Sequence, residues 1–180
     1  YGMTEGGVGC QLECHDFPNK LHTVGRPRAG TEVVMIDENG QVLPNGELGE
    51  IVGTSAAMME GYYGLPEKSR EIEWFDAQGR RWLRTGDVGR FDEDGFIVLG
   101  DRKKDMIISG GFNIYPSDIE AELAQHPEVR ECSVIGVASR EWGETPVAYV
   151  VARDAGRNPA ELGAEVKAWL NGRVGKTQRV

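Results

Sequence analysis

Apolar and polar positions alternate through the first half of the chain and recur at helical spacing in the second. Thr31–Asp37 is a β-branched run closing on Glu38-Asn39-Gly40, and Asn-Gly tolerates the positive φ of a hairpin turn. Glu47–Gly53 reads as the returning strand, with a further turn at Pro44-Asn45-Gly46. Two more hairpins are predicted, one around Asp76-Ala77-Gln78-Gly79. The other, around Asp92-Glu93-Asp94-Gly95, lies between Val88–Phe91 and Phe96–Leu99. Pro66–Glu73 predicts a short helix. Past Gly100 the rhythm changes. Pro116 followed by Ser117-Asp118-Ile119-Glu120 has the form of a capping box, with Ile119, Leu123 and Ala124 on one helical face. His126-Pro127 stops that helix. Cys132–Ala138 and Pro146–Ala152 read as buried strands, and Asn158-Pro159 opens a helix carrying Leu162, Val166, Trp169 and Leu170. The fold class is therefore α+β: a glycine-rich, barrel-like β portion, then a small α+β domain.

Charge and glycine place the join. The chain holds 20 Lys+Arg and 29 Asp+Glu, a net charge of -9. Residues 1–100 carry 9 basic and 17 acidic side chains, residues 101–180 carry 11 and 12, and the 25 glycines divide 17 to 8. Domains over 1–100 and 101–180 follow. A pI near 4.9 argues against a nucleic-acid partner, which wants a basic face. No apolar run approaches the ~18 residues of a spanning helix, so no transmembrane segment is expected. The chain opens on Tyr1 with no charged-then-apolar leader, which suggests a piece of something longer. Cys10, Cys14 and Cys132 are too scattered for a disulfide framework, and Cys10, Cys14, His15 and His22 fit no common zinc spacing. Free thiols in a reducing, cytoplasmic setting are expected.

Five local features bear on chemistry. Tyr1-Gly2-Met3-Thr4-Glu5-Gly6-Gly7 sets a hydroxyl and a carboxylate among glycines, which suits a phosphate with Mg²⁺ or equally a glycine-rich turn. It lacks the Gly-Lys-Ser/Thr ending of a Walker loop. In Arg84-Thr85-Gly86-Asp87, the Asp either accepts both hydroxyls of a vicinal diol or closes an Asx turn on its own backbone. Asp101-Arg102-Lys103-Lys104-Asp105 is a solvated linker, serving as a hinge or as an ordinary polar loop. Ser109-Gly110-Gly111 allows close backbone approach to a ligand, or forms a bulge. Trp142, in Glu141-Trp142-Gly143-Glu144, stacks on a ligand or caps the small domain's core.

Together, in this order and spacing, these segments resemble the C-terminal half of an AMP-forming acyl-CoA synthetase of the adenylate-forming superfamily. The resemblance runs through YGMTE at Tyr1–Glu5, GELGEIVG at Gly46–Gly53, RTGD at Arg84–Asp87 and GDRKKD at Gly100–Asp105. It continues through ISGGFNIYPSDI at Ile108–Ile119, Gly136, and WGE at Trp142–Glu144. It implies two half-reactions: a carboxylic acid and Mg·ATP give an acyl-adenylate and pyrophosphate, then the CoA thiol takes the acyl group and AMP leaves. By family position, Thr4 would contact phosphate, Glu5 would bind Mg²⁺, and Tyr1 would lie against adenine. Asp87 would accept the ribose hydroxyls, and Arg102 would reach the ribose or phosphate. Lys104 would be the hinge of a mobile small domain. Ser109, Gly110 and Gly111 would line the pantetheine channel, with Trp142 touching CoA and Gly6-Gly7-Val8 meeting the acyl-pocket wall. The resemblance leaves fatty and aryl acids both open.

Two departures qualify this expectation. The family's glycine-, serine- and threonine-rich phosphate loop would lie upstream of Tyr1. The adenylating lysine belongs in a Gly-Lys context later than Gly175-Lys176, so Lys176 reads as an ordinary basic residue at a truncation point. Its cluster with Arg173 and Arg179 either touches CoA phosphates or is a solvated helix end. Two rival readings are an adenylation domain that loads a carrier protein and a non-catalytic binding module. The 180-residue chain is expected to be inactive by itself, and a coupled pyrophosphate assay showing normal turnover would overturn that.

Overall fold

The computed structural model describes residues 1–180, which divide into two compact units, Tyr1–Lys103 and Lys104–Val180.

In the first unit, β1 (Cys10–Gln11) and β2 (Arg26–Pro27) form a two-stranded ribbon. A five-stranded antiparallel sheet follows: β3 (Thr31–Ile36), β4 (Gly49–Ser55), β5 (Glu73–Phe75), β6 (Arg81–Phe91) and β7 (Ile97–Arg102). The short helix α1 (Pro66–Glu71) precedes β5, with Pro at its start, where a missing N–H costs nothing. The turns fall where Gly and Asp predict them. Gly40, Gly46, Gly79 and Gly95 all have positive φ, and Asp37, Asp76 and Asp92 each accept backbone N–H groups across their loops. β4 runs along one edge of β6, while β5 and β7 share the other edge in succession. The sheet curls as a half-barrel, and its interior holds Val33, Met35, Ile51 and Ile97.

In the second unit, β8 (Ile107–Ser109) and β9 (Phe112–Ile114) form a hairpin. After it come α2 (Pro116–Leu123), β10 (Val129–Ser139), β11 (Gly143–Ala152) and α3 (Pro159–Asn171). The sheet order is β10-β11-β8-β9. Ile119 and Leu123 from α2 pack with Leu162, Val166 and Leu170 from α3 over Ile107, Ile114 and Val134. The sequence pattern missed β9, because a three-residue strand after two glycines is too short to show alternation. It also underestimated β10 and β11, which meet at the Glu141-Trp142 turn.

The capping box is a correction. α2 starts at Pro116 with Tyr115 as its cap residue and no side-chain cap. Glu120 Oε1 accepts the N–H of Val134 at 2.7 Å, tying the helix to β10. α3 is capped as expected, Asn158 accepting from Ala160 and Glu161. Trp169 is only partly buried, edge-on to buried His126 at 5.1 Å, and Arg173 lies over its ring at 3.8 Å.

Asp76 is the hub of the β5–β6 hairpin. Its oxygens accept from the backbone of Gln78 and Arg80, from Arg80 Nε at 2.8 Å and from Trp82 Nε1 at 3.0 Å. Desolvation pushes its pKa up, but those donors outweigh it and hold the carboxyl at about 2. The folded value lies below the unfolded one, so its contribution to stability is present above about pH 4 and disappears as pH falls toward about 2. Thermal midpoints measured from pH 7 downward should show this acid loss, and Asp76→Asn should lower the neutral-pH midpoint and flatten the slope. An Asp76→Asn slope as steep as that of the parent chain would refute the assignment.

Candidate nucleotide and acyl-carrier sites

Tyr1–Cys10 is a hairpin. Tyr1 and Cys10 exchange backbone bonds, Gly2 bridges Gly9, and Met3 N–H reaches Val8. Its tip is Thr4–Gly7, with Thr4 exposed. The tip is clamped by the segment after β4: Ser55 Oγ donates to Gly6 O at 2.6 Å, and Met59 N–H to Glu5 O at 2.8 Å. Tyr62 O–H donates to Glu5 Oε1 at 2.7 Å. Gly6 has φ +80°, and a Cβ there would come within 2.0 Å of Ala57 O, so only glycine fits. Glu5 Oε2 takes no hydrogen bond. One open carboxylate oxygen beside an exposed hydroxyl fits a hard cation that fills its remaining positions with water and phosphate oxygens. No group of three or more His, Cys, Asp or Glu side chains gathers as a metal site, here or in the rest of the chain. Cys10 is buried and Cys14 exposed.

Arg84-Thr85-Gly86-Asp87 lies in the middle of β6 as a bulge, not at a turn before a hairpin. Glu50 pairs with Val88 and Val52 with Arg84, so three residues of β6 stand opposite Ile51. Thr85 Oγ1 fixes the bulge, donating to Ile51 O at 2.9 Å and accepting from Asp87 N at 3.0 Å. Gly86 takes φ +73°. The Asp87 carboxylate does not close an Asx turn. Its Oδ2 accepts from Tyr1 O–H at 2.6 Å, and its Oδ1 lies 3.4 Å from Arg102 Nε, its cross-strand neighbour. Burial, then the bond to Asp87, push the Tyr1 hydroxyl pKa well above its ordinary value. Tyr1, Asp87 and Arg102 are thus brought together by side-chain contacts, with Thr4 and Glu5 at the tip of the hairpin that Tyr1 begins.

Asp101–Asp105 is polar and mostly exposed, but it has regular backbone structure. Asp101 and Arg102 complete β7, and Lys103–Asp105 is a 3-10 turn, with the division between units falling after Lys103. Lys104 is exposed.

In the second unit, Gly110 (φ +57°) and Gly111 (φ +83°) are the two central residues of the β8–β9 hairpin. Their left-handed backbone is what a two-residue turn demands. Gly110 N–H donates to Trp142 O at 2.8 Å, and a Cβ on Gly110 would lie 2.9 Å from the Trp142 ring. Trp142 is 53% exposed and does not cap the core, where Ser109 is buried. Exposed Ile108, Phe112 and Trp142 make the hairpin end an apolar surface. Arg173, of the basic cluster at the end of α3, stacks on Trp169 and donates to its carbonyl.

The sequence reading missed Tyr62, Ser55 and Glu50. Glu50 carried a usable signal, since an acidic residue inside the apolar strand GEIVG requires a cation partner. Tyr62 had only its place between glycines.

The first unit thus carries a hydroxyl and a carboxylate on the tip of a hairpin whose first residue, Tyr1, bonds a carboxylate borne on the β6 bulge. Residues 1–63 match the model of the AMP-binding enzyme family, and residues 118–180 that of the AMP-binding enzyme C-terminal domain. The chain is 41% identical over 175 residues to a feruloyl-CoA synthase of Amycolatopsis sp, spanning 97% of the chain and 34% of that protein. It is 40% identical over 169 residues to the medium/long-chain-fatty-acid–CoA ligase FadD8 of Mycobacterium tuberculosis, spanning 91% and 28%. Among solved structures, ATP-bound MatB from Rhodopseudomonas palustris superposes with a TM-score of 0.80 at 33% identity, covering 99% of this chain and 34% of that one. The o-succinylbenzoate CoA synthetase of Bacillus subtilis with its acyl-adenylate gives 0.77 at 34%, covering 99% and 35%. The chain belongs to the adenylate-forming superfamily of AMP-binding enzymes, and its homologues are acyl-CoA ligases. It spans about a third of the length of the curated relatives it matches.

Tyr62→Phe should free the Glu5 carboxylate and loosen the tip. Unfolding free energy should fall by about 1 kcal/mol, and amide exchange at Gly6 and Met59 should accelerate. Tyr63→Phe, altering a fully exposed ring, is the control. Equal effects from both variants would remove Tyr62 from the site.

Proposed function

We propose that the chain is the C-terminal part of an ATP-dependent carboxylic acid–CoA ligase. It would comprise the end of a large nucleotide-binding domain and a small mobile domain that pivots at Lys104. The observation that carries this reading is the Asp87 carboxylate, fixed on a bulge and oriented by Tyr1 and Arg102 with lone pairs left for two adjacent hydroxyls. Thr4 and the open oxygen of Glu5 face the phosphate side of the same nucleotide. Glu5 would hold Mg²⁺, which would supply charge neutralisation at the phosphates. Tyr1 packs against the base while its hydroxyl keeps Asp87 turned toward the ribose. Arg102 adds positive charge where the adenylate forms.

Acyl transfer to the CoA thiol uses the second unit. Its Gly110-Gly111 tip, flanked by Ile108, Phe112 and Trp142, offers a narrow apolar surface suited to a thin pantetheine arm, with Ser109 buried beneath it. The relatives, a feruloyl-CoA synthase and a medium/long-chain-fatty-acid–CoA ligase among them, support CoA as acceptor and a small-molecule carboxylic acid as substrate.

In the ligase that carries this chain, Asp87→Ala should weaken ATP use tenfold to a hundredfold, because charge-assisted hydrogen bonds worth about 1.5–3 kcal/mol are lost. The check is pyrophosphate release against ATP concentration. Unchanged KM for ATP and unchanged kcat would sink the assignment.

A further inference from the structure

Glu50 is 6% exposed on β4, and its Oε2 accepts from two cations. Arg84 Nη1 lies at 2.8 Å and Lys103 Nζ at 2.9 Å. One cation balances one carboxylate, and Arg84, the register partner of Val52 on β6, meets the need to compensate a buried charge. The second cation therefore calls for another explanation. Lys103 is the last residue of the first unit and the first of the 3-10 turn leading out of it.

Its neighbour Arg102 also meets a carboxylate, Asp87, at 3.4 Å. Two consecutive basic side chains thus hold the end of β7 onto the sheet, and the two ties differ. The Arg102 side chain is 63% exposed, and its partner is the group proposed to take the ribose hydroxyls, so a nucleotide competes for it. The Lys103 side chain is 41% exposed, and its partner Glu50 is buried within the sheet. The tie at Lys103 persists whatever occupies Asp87.

We propose that Lys103 is a positioning residue that fixes the near edge of the hinge. Its pair with Glu50 keeps β7 docked, so that rotation is confined to the backbone after Lys103 and begins at Lys104. Without that pair, the end of β7 frays toward Gly100, and the turn is spread over several peptide units. Arg84 gives the anchor a second role. It shares the β6 bulge with Asp87, so the carboxylate that fixes the hinge edge also steadies the first residue of the diol-binding segment.

This inference rests on the hinge reading above, and its test separates the two. In the 180-residue chain without nucleotide or CoA, Lys103→Met should speed amide exchange at Gly100–Arg102 by about three- to fivefold, the range of a partly exposed ion pair. Ile97 and Val98 should be unchanged. Lys103→Arg, which restores the charge, should return exchange to the parent rate. Unchanged exchange in Lys103→Met overturns the proposal, and so does acceleration throughout the unit, which would make Lys103 a general stabiliser. In the ligase, Lys103→Met should slow thioester formation from acyl-adenylate more than adenylate formation. Equal loss in both half-reactions, with the exchange result intact, would overturn the hinge reading and leave the anchor standing.

Discussion

Three residues of β6 stand opposite one residue of β4, and the first unit is arranged around that mismatch. A strand cannot absorb two extra residues and stay flat. Gly86 takes the left-handed backbone that the excess requires, and Thr85 ties the bulge to Ile51 through its hydroxyl. Asp87 is thereby offset from the regular ladder. The same distortion separates β5 from β7 along their shared edge, and the Tyr1 hydroxyl reaches Asp87 at this point. Replacing the bulge by regular strand would remove the reason for the Tyr1 contact.

The charges around the bulge are graded by burial. Glu50 lies inside the sheet and holds Arg84 and Lys103, pairs that water screens weakly. Asp87 is partly open and holds Arg102 at longer range. A buried carboxylate suits a permanent structural tie, because breaking it strands a charge. A more open one suits exchange with a ligand, because water and ligand hydroxyls can replace its partners. The two acids, close together on neighbouring strands, are thus fitted to different tasks.

In the second unit the constraint is conformational. Gly110 and Gly111 are left-handed because a two-residue hairpin requires it, and a Cβ on Gly111 would meet no protein atom. The backbone already demands glycine, and the smooth apolar tip with Trp142 beside Gly110 follows from that demand.

The amino-acid sequence by itself determined the features that act over a few residues. The Asp- and Gly-marked turns, the Pro-led starts of α1, α2 and α3 and the apolar face of α3 all follow from local dihedral preference and short-range hydrogen bonds. It also determined the family, since YGMTE, RTGD and GDRKKD keep a legible order along the chain. Tertiary structure decided which charged groups meet. Tyr1 and Asp87 are 86 residues apart, Glu5 and Tyr62 57 apart, and Glu50 and Lys103 53 apart. No periodicity encodes such pairings. They depend on strand register and on a bulge whose size is set by the pairing of β4 with β6. For the same reason Ser117-x-x-Glu120 looked like a cap, whereas Glu120 serves the strand beside its helix. A local motif states what a side chain can bond, and only the packed neighbours fix what it does bond.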